Sequence, residues 1–347
     1  MRRSRWLRSN PARPDGATAY ARQEHRYDKN RPELAGLLGE IRRIVDERPG
    51  RMTVGELFEG SPVQAAAYAA TGHLVFDFSL VETPWDARAF ERTIAAREAA
   101  FGPGGWPTVV LSNHDRSRHA SRYDDGVHGE ARARVAAVLE TTLRGTLFLY
   151  YGEEIGLRDV AIPRSEIVDP PARRGGRRLG WWNRDQARSP MPWWAGAHGG
   201  FTSAERPWLR MSPDHATRNV ADQADDPMSL LTLYRRLLLL RREHPALHRG
   251  SIELVDVDGP DVLAYVRRDG DDAALVALSF GDTSHPIRLP AAPSGPWRVA
   301  ITTHGSHPEL GKDGTWTLRP LEAVVVIDDD GRRIPAGRSA STERAPR

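Results

Sequence analysis

TVVLSNHDRSRHASRYDDGVHGEARARVAAVLETTLRGTLFLYY, residues 108 to 151, holds a strand, a helix and a second strand in one continuous run. Thr108 to Ser112 is apolar and β-branched, Glu130 to Arg144 has helical character, and Thr146 to Tyr151 is apolar again. Two strands joined through a helix cannot form a hairpin; the crossover makes them parallel neighbours. The first strand stops on Asn113-His114-Asp115, three polar side chains directly after a buried run.

The same alternation extends upstream. Pro32 opens a segment with Leu34, Leu37, Leu38, Ile41, Ile44 and Val45 at helical spacing, and Pro49-Gly50 stops it. A strand at Met52 to Val54 follows, then a helical piece around Val63 to Ala70, a strand from His73 to Phe78 and a helix over Ala87 to Ala100. Strand and helix alternating through short links give a parallel sheet with covering helices, either open and doubly wound or closed into a barrel.

Downstream the character changes. Residues 157 to 227 are rich in Arg, Pro, Gly and Trp without a sustained period, and Trp181, Trp182, Trp193, Trp194 and Trp208 favour an ordered functional loop region over disorder. Met228 to Arg242 is a strongly amphipathic helix through Leu230, Leu231, Leu233, Tyr234, Leu237, Leu238 and Leu240. Short strands follow at 252–257, 262–267, 274–279, 286–289, 297–302, 315–318 and 323–327, the pattern of a small antiparallel sandwich. The closing GRRIPAGRSASTERAPR is polar and reads as a disordered tail.

Composition narrows the classes. The chain has 347 residues, 39% hydrophobic and 27% charged, enough for a large core and two domains. No apolar run nears the roughly 20 residues that span a bilayer, and the basic MRRSRWLRSN lacks the apolar core of a secretory signal, so a cytoplasmic protein without membrane contact is expected. The absence of cysteine excludes disulfides, thiolate metal sites and a cysteine nucleophile. A net charge of +3, with acids and bases interspersed, gives no one-faced stripe for nucleic acid.

In parallel strand and helix folds, functional groups gather at the carboxyl ends of the strands. Asp115 and Glu56, the latter in RMTVGELFEG at 51 to 60, each follow an apolar run. Singly, Glu56 reads as a helix cap and Asp115 as a turn or loop acid. Together they are the minimum equipment for glycoside hydrolysis, in which one carboxyl is held protonated and another ionised.

Five segments carry a specific resemblance: VLSNHD, TVGELF, GTLFLYYGEEIGL at 145 to 157, NRDQARSPMPW at 183 to 193, and SLLTLYRRLLLLRREHPALHRG at 229 to 250. Together they resemble the α-amylase family of glycoside hydrolases, in its α-glucosidase or oligo-1,6-glucosidase branch. The resemblance implies that Glu56 is the general acid and base, and that Asp115 is the carboxylate that grips sugar hydroxyls in the transition state. It further implies that His114 hydrogen-bonds the same sugar, that Asn113 shapes the turn, and that Arg184 binds the non-reducing glucose. Trp193 either faces a sugar ring or packs against its own loop, whereas Glu153 and Glu154 fix the loop after the last strand. No metal and no cofactor is implied, and the partner is an α-glucosyl oligosaccharide.

One group has no counterpart. The family's retaining mechanism uses a carboxylate nucleophile on the fourth barrel strand, in a phenylalanine-arginine-leucine-aspartate type of segment. Asp15, Asp28 and Asp124 have an arginine two residues earlier but follow no apolar strand, and Asp77 lies in what corresponds to the sixth strand, where a core or loop partner is expected. NPARPD and HRYDKNRPE resemble the connection just after strand four, so the chain is expected to begin downstream of the nucleophile.

The expected fold is therefore α/β: a partial (β/α)8 TIM barrel, strands 5 to 8 with their helices, over residues 1–248, an antiparallel β-sandwich over 249–330, and a tail over 331–347. The function implied is retaining hydrolysis of α-glucosidic bonds, inactive in this chain alone; a non-catalytic carbohydrate- or protein-binding remnant is the alternative. Open sheet edges would admit an N-terminal half or a second copy as protein partner.

Overall fold

Strand register decides which side chains face a core, and in the computed structural model this is visible from the first parallel pair. The structure describes residues 22–58, 60–174, 183–288, 296–311 and 314–328. Asp15, the NPARPD segment, Trp181, Trp182 and the 331–347 tail lie outside the described residues. Two compact units divide the chain, Met1–Thr83 with Arg92–Leu111 and Gly145–Phe148, and Pro84–Glu91 with Ser112–Arg144 and Leu149–Arg347.

In the first unit, helix α1 (Glu33–Asp46) leads to β1 (Val54–Leu57), α2 (Pro62–Thr71) and β2 (Leu74–Asp77). Ser61 caps α2 in a reciprocal box with Gln64, which starts the helix and leaves no capping role for Glu56. β1 pairs parallel with β2, Glu56 opposite Phe76. After helix α3 (Ala87–Phe101), β3 (Thr108–Val109) pairs parallel with β4 (Thr146–Leu147). Thr108 joins the two pairs: its hydroxyl donates to Val75 O at 2.8 Å and accepts the Asp77 N–H at 3.4 Å.

One face of this sheet packs Leu57 and Val75 against Ala65 and Phe101. The opposite face carries Phe76 against Phe148, ring centroids 4.3 Å apart, with Phe78, Phe58 and Val110 alongside. Period-two alternation puts Glu56 and Val54 on the Phe76 face, and both are exposed. The strand expected at 52–54 is therefore displaced: Met52 precedes it, and Glu56 lies inside β1 rather than beyond it. Asp77 has the partner expected for it, a buried ion pair to Arg97 Nε at 3.1 Å.

In the second unit, α4 (Gly129–Thr142) and α5 (Leu230–Glu243) precede a five-stranded antiparallel sheet and a two-stranded one. Strands β5 (Ser251–Val255), β6 (Val262–Asp269), β7 (Asp272–Ser279), β11 (Ala323–Asp328) and β9 (Trp297–Thr302) make the first, in the order β5-β6-β7-β11-β9. β8 (His285–Arg288) and β10 (Thr315–Leu318) make the second. Val262, Ala264 and Val266 of β6 pack with Leu275, Ala277, Val324 and Val326 against Ile287, Trp316 and Leu318 of the small sheet. The alternate β6 residues serve the other face, where Tyr265 Oη meets Thr142 Oγ1 at 2.6 Å and Arg267 donates to the Thr142 carbonyl. A sheet covered on both faces explains why these strands are apolar at nearly every position.

The long loop region between α4 and α5 is built from short 3-10 and helical turns at Glu153–Ile155, Arg164–Glu166, Pro170–Arg174, Arg184–Arg188 and Ala197–Gly200. Among the described residues, no helix is long and apolar enough to cross a membrane.

Candidate functional site

The polar triplet after β3 folds on itself. Asn113 Oδ1 accepts the Asp115 N–H at 2.9 Å, so Asn113 rather than Asp115 supplies the side-chain turn, and it is buried while doing so. Two residues earlier the chain is apolar and fully enclosed through Leu111; Asp115 is left with its side chain 15% exposed and His114 at 57%.

Asp115 Oδ1 is met by two guanidinium groups, Arg184 Nη1 at 3.0 Å and Arg188 Nη2 at 2.8 Å. Arg188 also donates from Nε to the His114 carbonyl at 2.8 Å, so one arginine fixes both the backbone and the carboxylate of the triplet. His114 Nε2 stands 3.4 Å from the same oxygen. Both side-chain hydrogen bonds to Asp115 end on Oδ1, and among the described residues none ends on Oδ2.

Both arginines sit on the 3-10 turn Arg184–Arg188, and its sequence explains its position. Asn183 caps the turn through the Asp185 N–H at 3.1 Å. Asp185, buried, accepts the N–H groups of Val168 and Asp169 at 2.7 and 3.0 Å. Asp169 in turn grips Arg184 from both carboxylate oxygens, with Nη2 to Oδ1 at 2.6 Å. Burial pushes the Asp169 carboxyl up, but the hydrogen bonds and charge of Arg184 outweigh it and hold the group below its ordinary range. The Arg184 guanidinium is raised above its usual value, first by the bonds to Asp169, against burial and with help from Asp115.

Tyr150 and Tyr151 brace the same turn from the end of the GTLFLYYGEEIGL segment: their hydroxyls donate to Ala187 O at 3.1 Å and Ser189 O at 2.7 Å. The buried Arg118 guanidinium stacks over both rings, 4.6 Å from each centroid. Glu153 accepts the Tyr150 N–H at 2.8 Å and so ties its own loop. The structure thus brings together Asn113, His114, Asp115 and Arg184 in the second unit, and places Glu56 on β1 of the first.

Two guanidiniums on a single oxygen match the charge of Asp115 and hold it as a fixed hydrogen-bond acceptor. A carboxylate so engaged is suited to gripping hydroxyl groups and poorly suited to attacking carbon. Arg188 and Asp169 are absent from the sequence reading. Arg188 had a signal, four residues after Arg184 in the same family-like segment; Asp169 had none, because its role depends on Asp185 folding residues 168–169 back onto the turn. Trp193 is 46% exposed, with its backbone N–H on Gly199 O at 2.7 Å. A separate cavity of about 860 Å³, lined among others by Arg164, Glu166, Arg173, Trp208 and Arg210, contains none of the expected site residues.

Comparison with known proteins bears on these groups. Residues 7–250 match the family model for the α-amylase catalytic domain. A probable α-glucosidase of Rhizobium meliloti is 36% identical over 308 residues, covering 82% of this chain and 54% of the relative. An oligo-1,6-glucosidase of Parageobacillus thermoglucosidasius is 28% identical, covering 81% of this chain and 56% of the relative. Among solved structures, the α-glucosyl transfer enzyme XgtA superposes with a TM-score of 0.81 at 31% identity, over 93% of this chain and 61% of that one. The trehalulose synthase MutB from Pseudomonas mesoacidophila superposes with a TM-score of 0.76 at 26% identity, over 86% and 59%. The chain spans little more than half the length of the curated relatives it matches.

Proposed function

The chain belongs to the α-amylase family, in its α-glucosidase and oligo-1,6-glucosidase type, with the barrel and C-terminal antiparallel sheet of that fold; from this premise we propose that it is the C-terminal portion of a retaining α-glucosidase. The carrying observation is Asp115 clasped by Arg184 and Arg188, three residues drawn from two of the segments that resemble the family.

In this reading Asp115 holds sugar hydroxyls through its open oxygen, aided by His114 and Arg184, with Asn113 setting the turn. Hydroxyls held more tightly in the distorted ring of the transition state than in the relaxed sugar lower the barrier. Glu56 is the general acid that protonates the departing glycosidic oxygen and then the base that takes a proton from water. The substrate is an α-glucosyl oligosaccharide, handled in the cytoplasm without metal or cofactor in the reaction.

The barrel of this chain is partial, comprising strands 5 to 8 within 1–248, with 249–330 as the accessory sandwich. Two observations support that reading: no segment matches the nucleophile strand, and the Glu56 face of β1 is exposed at Val54 and Glu56. A polypeptide carrying strands 1 to 4 is the partner that would complete it.

The test has two arms. Purified chain alone should hydrolyse p-nitrophenyl α-glucoside at least about 10⁴-fold more slowly than a complete family enzyme, the loss expected when one member of a cooperating catalytic set is missing. Ordinary enzyme rates from the isolated chain would refute the partial-enzyme reading. Calorimetry with maltose should show weak binding that Asp115→Ala and Arg188→Ala abolish. Binding unaffected by both variants would dismiss Asp115 as the sugar-gripping group and favour a non-catalytic remnant.

A further inference from the structure

Outside the Asp115 cluster, the second unit encloses His119, Glu140 and Glu153 at 0%, 0% and 1% exposure. They come from three separate elements: the short helix His119–Arg122, the last part of α4, and the turn Glu153–Ile155. A buried ionisable group requires a partner for each of its polar atoms or it destabilises the fold. Glu153 satisfies this, with Oε1 3.1 Å from His119 Nδ1 and Oε2 on the Tyr150 N–H. The other two do not. Glu140 Oε1 accepts the Tyr234 hydroxyl, but Glu140 Oε2 and His119 Nε2 meet no hydrogen-bond partner.

The charges are also unmatched. Two carboxylates and one imidazole lie together in one buried cluster. The buried guanidinium of Arg118 is directed at the Tyr151 carbonyl and at the faces of Tyr150 and Tyr151. Ser112 Oγ, 3.3 Å from His119 Nδ1, is neutral and already accepts the His119 backbone N–H at 2.9 Å.

One ligand atom from each of the three residues lies within 4.8 Å of the others. Ligands on a tetrahedral ion with bonds of about 2.0–2.1 Å stand about 3.3 Å apart. The 3.1 Å between His119 Nδ1 and Glu153 Oε1 already has that spacing, and ligation would give Glu140 Oε2 the partner it lacks. Two carboxylates would cancel a dipositive charge, and a mixed imidazole and carboxylate set suits Zn²⁺ over Ca²⁺ or Mg²⁺, which take oxygen ligands.

We propose that His119, Glu140 and Glu153 form a buried structural site for one divalent transition cation, which ties α4 to the loops that carry Ser112 to Arg122 and Tyr150 to Ile155. The site is distinct from the sugar-binding groups and departs from the sequence expectation of no metal. It makes the rigidity of the Asp115 loop depend on the ion.

Chelator-stripped protein is equilibrated with Zn²⁺, desalted and assayed for metal content, and its melting temperature is followed with Zn²⁺ and with Mg²⁺. The proposal expects about one Zn²⁺ per chain, a melting temperature raised by Zn²⁺ and not by Mg²⁺, and at least about tenfold weaker binding in Glu140→Gln and His119→Gln. His128→Ala, on the exposed Asp125 pair, should bind as wild type does. Wild-type protein that retains no Zn²⁺ and melts unchanged overturns the proposal whether or not the variants fold. Equal retention by Glu140→Gln overturns it too, by placing the metal elsewhere. A Glu140→Gln protein that melts higher than a wild type without zinc identifies a buried neutral acid instead.

Discussion

Helices α1 and α5 are each 14 residues long and carry apolar residues at helical spacing, yet they meet different surroundings. α5 buries Leu230, Leu231, Leu233, Tyr234, Leu237 and Leu240, and starts from Ser229, whose side chain caps the Thr232 N–H at 3.1 Å. α1 buries nothing: Leu34, Leu38 and Val45 are half-covered, while Leu37, Ile41 and Ile44 are 54%, 49% and 53% exposed. Its attachments are polar instead. Asp46 reaches His73 Nε2 at 2.8 Å, Arg42 donates to the Gly72 carbonyl, and Asn30, just ahead of the helix, accepts the Tyr68 hydroxyl at 2.7 Å. An apolar stripe therefore tells that a helix will form and which face wants cover; it does not tell whether cover is present.

The strongest way to break this contrast is Leu237→Ala, at 1% exposure in α5. Removing an enclosed leucine side chain should cost about 2–5 kcal/mol, read as a fall in the urea midpoint of the second unit. A cost below about 1 kcal/mol, the usual range of surface substitutions, would mean that α5 is no better packed than α1.

A smaller effect is expected from the polar attachment of α1. The His73 hydrogen bond, helped by Arg42 and opposed by desolvation, holds the Asp46 carboxyl below its ordinary value of 3.8. A depressed folded-state pKa stabilises above the unfolded value and ceases to do so as pH falls through the folded one. Acid should accordingly loosen α1 below about pH 4 while the apolar seating of α5 is indifferent. Asp46→Asn at neutral pH should reproduce the loosening, seen as faster amide exchange across Glu33–Asp46 with α5 unchanged. Equal exchange in variant and wild type would show that the half-buried leucines suffice.

How much the sequence disclosed follows the same division. Alternating strands and helices, the amphipathic α5 and the later strands are legible because each rests on local periodicity, and Trp297–Thr302 and Thr315–Leu318 lie where the pattern puts them. Leu238 belongs to the apolar stripe of α5 by sequence but is 39% exposed, since the stripe is wider than the contact. Within the site, Asn113, His114, Asp115 and Arg184 are legible from family segments. Arg188, Asp169 and the His119, Glu140 and Glu153 cluster are not: 15 residues separate Arg184 from Asp169 and 73 separate Arg188 from Asp115, and no local pattern encodes such meetings.

The smallest expected effect sharpens the comparison most. Ile41→Ala removes an apolar side chain that is half exposed and touches no enclosed core, so it should change the stability of the isolated chain by no more than about 0.5 kcal/mol, in contrast to Leu237. The same substitution becomes a probe when a polypeptide bearing the first strands of a related barrel is added. If that polypeptide covers α1, Ile41→Ala should weaken its association by about 1–3 kcal/mol, because the buried area lost on binding is then the isoleucine's own. Titration by calorimetry at one salt concentration reads this directly. Association that is equally strong in wild type and in the Ile41→Ala variant would place the partner elsewhere and leave the exposed stripe of α1 as ordinary surface.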